Sequence, residues 1–411
     1  MLSVIIFLIV LGTLVFVHEL GHFLLAKKAG VKVEEFGFGY PPRALKIGEK
    51  WGTLFTLNWI PFGGFVKIFG ENYEDNEITA QTLPTIPEKE EVIFSEEKLS
   101  YSVESTPQGT VQSFDSENIV VSTHSNVEEV KSFTQVSKKW QVAILAAGVT
   151  FNIIFAWLLF SLSFMIGLPT SVENDFGGVV KNPVLTITEL APNSPAQKVG
   201  LKTGDKIINI FNSNGDSIGN LSPENVSNFI NNSVGKFSVE INRGGQILSF
   251  SPTPESGLVA DRKIIGIGMD MVGTLSLPLP QAFYEGGKTT LRLSYLTVAG
   301  IGNLIGEAFR GKADISQVAG PVGIVGLVGD ASRLGLAYLL TFTALISINL
   351  AIINLVPFPA LDGGRILFVA IEGITKRKIN PKVANTLNTV GFALLIAVMI
   401  IVTYRDILRL F

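Results

Sequence analysis

Charge-free runs dominate the hydropathy pattern, and their lengths divide the chain into membrane-crossing and water-facing parts. Leu2 to Val17 carries no charged residue, then His18-Glu19-Leu20-Gly21-His22 arrives, and Phe23 to Ala26 resumes the apolar run. A second run covers about Val142 to Leu168, a third lies between Arg333 and Asp362, and a fourth between Lys382 and Arg405. Each is long enough to cross about 30 Å of hydrocarbon as a helix. Leu293 to Gly306 is shorter and Gly-rich, and reads as an interfacial or amphipathic helix. The first run has no basic segment before it and no small-residue cleavage site after it, so it reads as a span rather than a removable signal.

Basic residues gather at the span ends on one side. Lys27, Lys28, Lys32, Arg43, Lys46 and Lys50 follow the first span, Lys138 and Lys139 precede the second, and Lys376, Arg377, Lys378 and Lys382 join the third to the fourth. An excess of Lys and Arg marks the cytoplasmic side, which leaves both termini and the 170–333 region outside. Arg405 and Arg409 point the other way and are outnumbered. Only 16% of the 411 residues are charged, well under the roughly 25% of soluble domains. The net charge of −3 implies no nucleic-acid partner, and the absence of cysteine excludes disulfides and thiolate metal sites.

Two water-facing stretches differ in pattern. Residues 71–137 are acidic and polar, as at Glu88-Lys89-Glu90-Glu91, and read as a flexible cytoplasmic loop with short strands near Val92–Phe94 and Ile119–Val121. Residues 177–272 instead carry folding signals. Ser194-Pro195 and Ser222-Pro223 are caps followed by proline at the first helical position. Lys236 to Asn242 and Gln246 to Ser251 pair as a hairpin around Arg243-Gly244-Gly245.

The chemistry sits in the spans. Positions i and i+4 share a helix face, so His18 and His22 present both imidazoles to one ion, and Glu19 reaches a water on that ion without binding it. Zinc suits two imidazoles plus one further N or O ligand and an open fourth position. Two of the three histidines fall in this motif; His124 lies in a polar stretch and reads as a solvated surface residue. An ionisable cluster at membrane depth is costly and therefore functional by default. Asn354-Leu355-Val356-Pro357-Phe358-Pro359-Ala360-Leu361-Asp362-Gly363-Gly364 breaks the third apolar run with two prolines and two glycines. Broken backbone at that depth is tolerated only where it is packed in protein or lines a cavity. Asp362 is thus the natural oxygen ligand, and the Asn354 amide suits a peptide backbone. Glu372, a competing carboxylate, follows the third span without the broken-helix context.

These motifs together resemble the site-2 protease family of intramembrane zinc metalloproteases, in its bacterial regulated-intramembrane-proteolysis branch with an inserted PDZ domain. His18 to Phe23 with Gly30 to Gly39 is similar to the first family block, Pro61 to Lys67 to its membrane-associated β-loop, Gly320-Pro321-Val322-Gly323 to its Gly-Pro motif, and Asn354 to Gly364 to its Asn-x-x-Pro-x-Pro-x-Leu-Asp-Gly block. Ser194-Pro195-Ala196 with Gly200-Leu201-Lys202 and Gly204-Asp205 resembles the PDZ domains of bacterial proteases. Val149 stands where the family usually has proline.

The resemblance implies a polytopic α-helical membrane protein of about four transmembrane helices with an extracytoplasmic α/β PDZ domain. It divides the chain into a first span with β-loop (1–70), the acidic loop (71–137), a second span (138–172), the PDZ domain (177–272), interfacial helices (273–333) and the last two spans (334–411). By the same resemblance His18, His22 and Asp362 hold one Zn2+ and Glu19 is the general base. Asn354 would position the substrate strand, Gly63, Gly64, Phe65, Val66 and Lys67 would pair with it, and Asn152 would pack nearby. The implied substrate is the transmembrane segment of a single-pass protein, such as an anti-sigma factor or a remnant signal peptide, already shortened by a site-1-type protease. The implied location is the inner (cytoplasmic) membrane, with the active site towards the cytoplasmic side of the bilayer. A non-catalytic PDZ adaptor with a structural metal is the alternative, and the intact Glu19 argues against it.

Overall fold

The computed structural model describes residues 2–71, 131–173, 176–212, 215–233, 236–259, 262–312 and 319–408. His124 and the strands expected near Val92–Phe94 and Ile119–Val121 lie outside the described residues. From the N-terminus, helix α1 (Leu2–Lys28) leads into two long strands, β1 (Val33–Lys50) and β2 (Thr53–Ile68), and then helix α2 (Lys138–Ile166). Strands β3 (Leu168–Ser171), β4 (Lys181–Leu190), β5 (Lys206–Phe211), β6 (Ser238–Arg243) and β7 (Gln246–Phe250) follow, with helices α3 (Pro195–Lys198) and α4 (Pro223–Asn232) among them. A small ribbon, β8 (Glu255–Val259) with β9 (Arg262–Ile264), precedes β10 (Ile267–Leu275). Helices α5 (Leu279–Phe309), α6 (Pro321–Leu334), α7 (Leu336–Leu355), α8 (Asp362–Thr375) and α9 (Pro381–Leu408) complete the chain. Among the described residues, α1, α2, α7 and α9 are the four helices long and apolar enough to cross a membrane, as the charge-free runs predict.

Lipid offers no hydrophobic drive for helices to meet, so close approach at small residues and buried hydrogen bonds must hold them. Gly21 of α1 faces the Ala147 backbone of α2 at a distance that leaves no room for a Cβ. Ser163 of α2 donates to the Ala337 carbonyl of α7 at 2.9 Å, and Ser347 of α7 donates to the Asn152 carbonyl of α2 at 2.8 Å. Lys138 at the start of α2 pairs with Glu372 of α8 at 2.5 Å, and Glu372 also accepts the Ile379 N–H. That pairing removes Glu372 as a competing metal ligand.

The long strands β1 and β2 fold back on themselves. Residues 33–38 pair on one side with 64–68, as in Phe36 with Val66 and Phe38 with Gly64, and on the other with 54–57. Residues 45–50 then pair with 53–57 from the outside. Among the described residues, the 64–66 segment has no strand on its far side, which makes it an edge of this sheet.

The six-stranded sheet runs in the order β3-β10-β4-β5-β6-β7, antiparallel throughout. Its core is aliphatic, with Leu185, Ile187, Ile207, Ile241 and Val226 of α4 fully buried. The expected hairpin is β6–β7, and both serine caps form: Ser194 accepts the Gln197 N–H at 3.3 Å and Ser222 the Asn225 N–H at 3.2 Å. The sheet is wider than the 177–272 stretch that carries the folding signals, because β3 begins two residues after α2 and pairs with β10. This ties the sheet directly to the bundle without a linker.

The segment after the sheet is longer than the hydropathy pattern suggests. Leu293 to Gly306, read as an interfacial or amphipathic helix, is the second half of the 31-residue helix α5. Lys288, Glu285 and Arg292 lower its hydropathy, yet Gly286 packs against Ser161 of α2 with no room for a Cβ, and the Trp157 indole donates to the Phe283 carbonyl at 2.8 Å. Backbone proximity, which periodicity does not report, places α5 alongside α2. The Gly320-Pro321-Val322-Gly323 motif opens α6 against α9, where buried Asp406 accepts the Gly323 N–H at 2.7 Å. A Cβ at Gly320 would lie 2.6 Å from the same carboxylate, which accounts for glycine there.

Candidate metal centre

Helix α1 carries both histidines of the motif, and α-helical spacing turns their rings to one side. The His18 and His22 Nε2 atoms lie 3.2 Å apart. Asp362, the first residue of α8, brings its Oδ2 to 3.0 Å from the first and 3.3 Å from the second. Around a tetrahedral ion with bonds of about 2.0–2.1 Å, ligand atoms stand about 3.3–3.4 Å apart. All three edges of this triangle fall close to that spacing, and among the described residues this is the one such group of three metal-ligating side chains.

Hydrogen bonds behind the rings fit a cation as well. The His22 Nδ1 lies 2.8 Å from the Ile144 carbonyl of α2. A carbonyl only accepts, so Nδ1 carries the proton and Nε2 of the neutral ring presents a lone pair. The His18 Nδ1 faces the carboxamide of Asn152 at 3.3 Å, while the Asn152 Oδ1 is buried with no partner among the described residues. A half-turn of that carboxamide sets Oδ1 against the His18 Nδ1–H and frees the second Nε2. Two lone pairs and a carboxylate oxygen then converge with no proton between them, which is a donor set for a divalent metal. Gly148, one turn before Asn152, passes so close to both imidazoles that a Cβ would overlap His22 and His18.

The broken segment between α7 and α8 delivers Asp362. Helix α7 ends at Leu355 and α8 starts at Asp362. Ala360 takes a left-handed φ of 74°, a conformation that costs a residue with a side chain free energy and survives only when its surroundings impose it. Its N–H donates to Asn388 of α9 at 3.3 Å. Gly363 and Gly364 pack directly on the carbonyls of Leu355, Val356 and Phe358, leaving no space for side chains. The two glycines thus let α8 start hard against the loop.

A cavity of about 410 Å³ opens beside the triad. Glu19 lines it together with the histidines and Asp362, and Gly64 to Lys67 form the opposite wall. Gly63 has a φ of 99° and abuts the Tyr40 ring, and Tyr40 also lines this cavity. Asn354 stands at the last turn of α7, half-buried and away from the cavity lining. Asn152 is fully buried behind His18 rather than on the cavity wall. Two lining residues carried no signal in the motif reading: Arg365, one turn after Asp362, and Glu71, with which it forms an ion pair. Arginine three residues beyond a proposed ligand on a helix start was the available clue.

Comparison with known proteins bears on this geometry. The profile of Peptidase family M50 matches residues 6–398. A Bacillus subtilis protein named regulator of sigma-W protease RasP is 32% identical over 440 residues, covering 100% of this chain and 99% of the relative. Proteins named zinc metalloprotease RasP from Geobacillus kaustophilus and Bacillus licheniformis are 32% and 31% identical, each over 100% of this chain and 98% and 99% of their own lengths. A match across nearly the whole chain, on a bundle of four apolar helices that carries this triad, means that the chain belongs to peptidase family M50, the intramembrane zinc metalloproteases.

Proposed function

We propose that His18, His22 and Asp362 hold one zinc ion, that Glu19 is the general base, and that the substrate is a transmembrane segment presented as an extended strand. The observation that carries this is the convergence of the three ligand atoms at 3.0–3.3 Å on the cavity that Glu19 lines. Bound zinc supplies Lewis acidity that lowers the pKa of water and polarises the scissile carbonyl. Glu19 accepts a proton from the attacking water on its carboxylate and then delivers it to the nitrogen of the departing amine. A helix hides its peptide bonds, so the substrate must unwind before attack. The sheet edge at 64–66 suits the unwound segment, by strand addition. Asn354, at the end of α7, fits a contact to that segment further from the ion.

The setting supports a membrane substrate. Trp51 and Trp59 on the hairpin sheet are 67% and 71% exposed, a placement suited to the bilayer interface. His22 precedes Lys28 by about 9 Å of helix, and the basic cluster after α1 supports an active site near the cytoplasmic face of the inner membrane. The six-stranded unit between α2 and α5 then lies outside and serves as a PDZ domain, either gripping a substrate tail or excluding bulky ectodomains. The relative named regulator of sigma-W protease supports an anti-sigma factor as substrate, with prior shortening by a separate protease.

The test uses the purified full chain and a single-pass reporter helix. Wild type cuts the reporter and a zinc chelator stops it, while Glu19→Gln retains zinc and does not cut. Cutting by Glu19→Gln, or cutting that ignores the chelator, overturns the assignment and returns the adaptor reading.

A further inference from the structure

A second cavity of about 410 Å³ lies between α1 and the hairpin sheet, beside the metal cleft. Leu8, Gly12 and Phe16 form its α1 wall, and Phe38 and Leu57 face them from the sheet. Positions four apart stack along one face of a helix, so this wall is a continuous stripe. Glu19 lies at its end, and both Glu19 and Gly64 also border the metal cleft, so the two cavities meet at the proposed base. The two neutral polar side chains of the lining are already hydrogen-bonded. Thr13 donates its hydroxyl to the Ile9 carbonyl at 2.8 Å, and the Asn58 amide donates to the Gly39 carbonyl at 3.0 Å. An occupant meets an apolar wall with one carboxylate at its mouth.

We infer that this cavity receives a bulky apolar side chain of the substrate, on a residue beside the bond that is cut. The inference rests on the protease reading above and adds its side-chain preference. A strand paired with the 64–66 edge turns alternate side chains to opposite faces of the sheet. At Gly64 one face looks at α1: a Cβ there would stand 3.3 Å from Val15 and 3.5 Å from Glu19. The side chain of the paired segment on that face beside Gly64 is thereby directed towards the Glu19 end of the cavity. Gly12 is the specificity-determining position, because a Cβ built on it meets nothing within 4 Å. A larger residue at 12 fills the cavity without displacing protein.

Gly12→Leu and Gly12→Ala test the inference in the full-length enzyme. The substrates are single-pass reporters carrying Leu, Phe or Ala, one position at a time, around the mapped cleavage bond. In wild type, one position beside that bond shows a kcat/KM about tenfold or more higher for Leu or Phe than for Ala. Gly12→Leu reverses the order at that position, and Gly12→Ala falls between; bound zinc in both variants reports an intact fold. An unchanged order, with all substrates scaled alike, overturns the pocket and is the result expected if a lipid acyl chain fills the cavity. Equal turnover by wild type and Glu19→Gln instead overturns the protease reading, and the pocket with it.

Discussion

Asp205 in the six-stranded sheet and Asp362 in the helix bundle are both withdrawn from solvent, and their partners differ in kind. Asp205 is 1% exposed and receives Nε and Nη2 of Arg243 at 2.7 Å each, plus the Lys202 N–H at 2.8 Å. Its hydrogen bonds hold the Arg243 guanidinium above its ordinary pKa. Asp362 faces two imidazoles whose backs are held by a carbonyl and a carboxamide. A carboxylate that already owns a counter-ion is structure. One that shares a vertex with two lone pairs awaits a cation. The surroundings differ in the same sense: hydrophobic burial of Ile187, Ile207 and Ile241 assembles the sheet, whereas the bundle is held by glycine contacts and buried hydroxyls.

Removing each carboxylate should break the comparison in opposite directions. Asp362→Ala is expected to take zinc from one ion per chain to near zero, measured by elemental analysis of the purified protein, and to abolish cleavage. The thermal unfolding of the sheet unit should not move. Asp205→Ala should do the reverse, because it leaves the Lys202 N–H and the half-buried Arg243 guanidinium without that acceptor. Losing it costs about 1–3 kcal/mol, visible as faster amide exchange across β5 and β6, with zinc content intact. Asn152→Ala is the finer test. It removes the group behind His18 and is expected to weaken zinc affinity about 10–100-fold, read by competition with a chelator. Unchanged affinity would assign Asn152 to packing alone.

Regions of this chain differed in how readily they were read. The motif on α1 was legible because helical spacing is a local rule: His18 and His22 share a face whatever the rest of the chain does. The proposed third ligand was legible because Pro357, Pro359, Gly363 and Gly364 break an apolar run where a break needs a reason. The two serine caps and the β6–β7 hairpin followed from short-range signals as well. The course of α5 was not legible, since its contact with α2 depends on Gly286 meeting Ser161, a long-range approach with no periodic trace. Asn152 was expected to pack near the site; that it stands behind His18 is a tertiary fact. The ion pair of Arg365 with Glu71 joins residues almost three hundred positions apart, and nothing local announces it.

By itself the sequence determined the spans, the shared face of the two histidines, the presence of the Glu19 carboxylate beside them, and the break that frees Asp362. Each depends on hydropathy, helical period or backbone chemistry within a dozen residues. Only the tertiary structure decided that the His18, His22 and Asp362 atoms meet within 3.3 Å, that residues 64–66 form an edge among the described residues and line the same cavity, and that an apolar cavity joins the cleft at Glu19. Those facts turn on how glycine lets separate helices and strands approach. Such distances between elements far apart in the chain are fixed by packing.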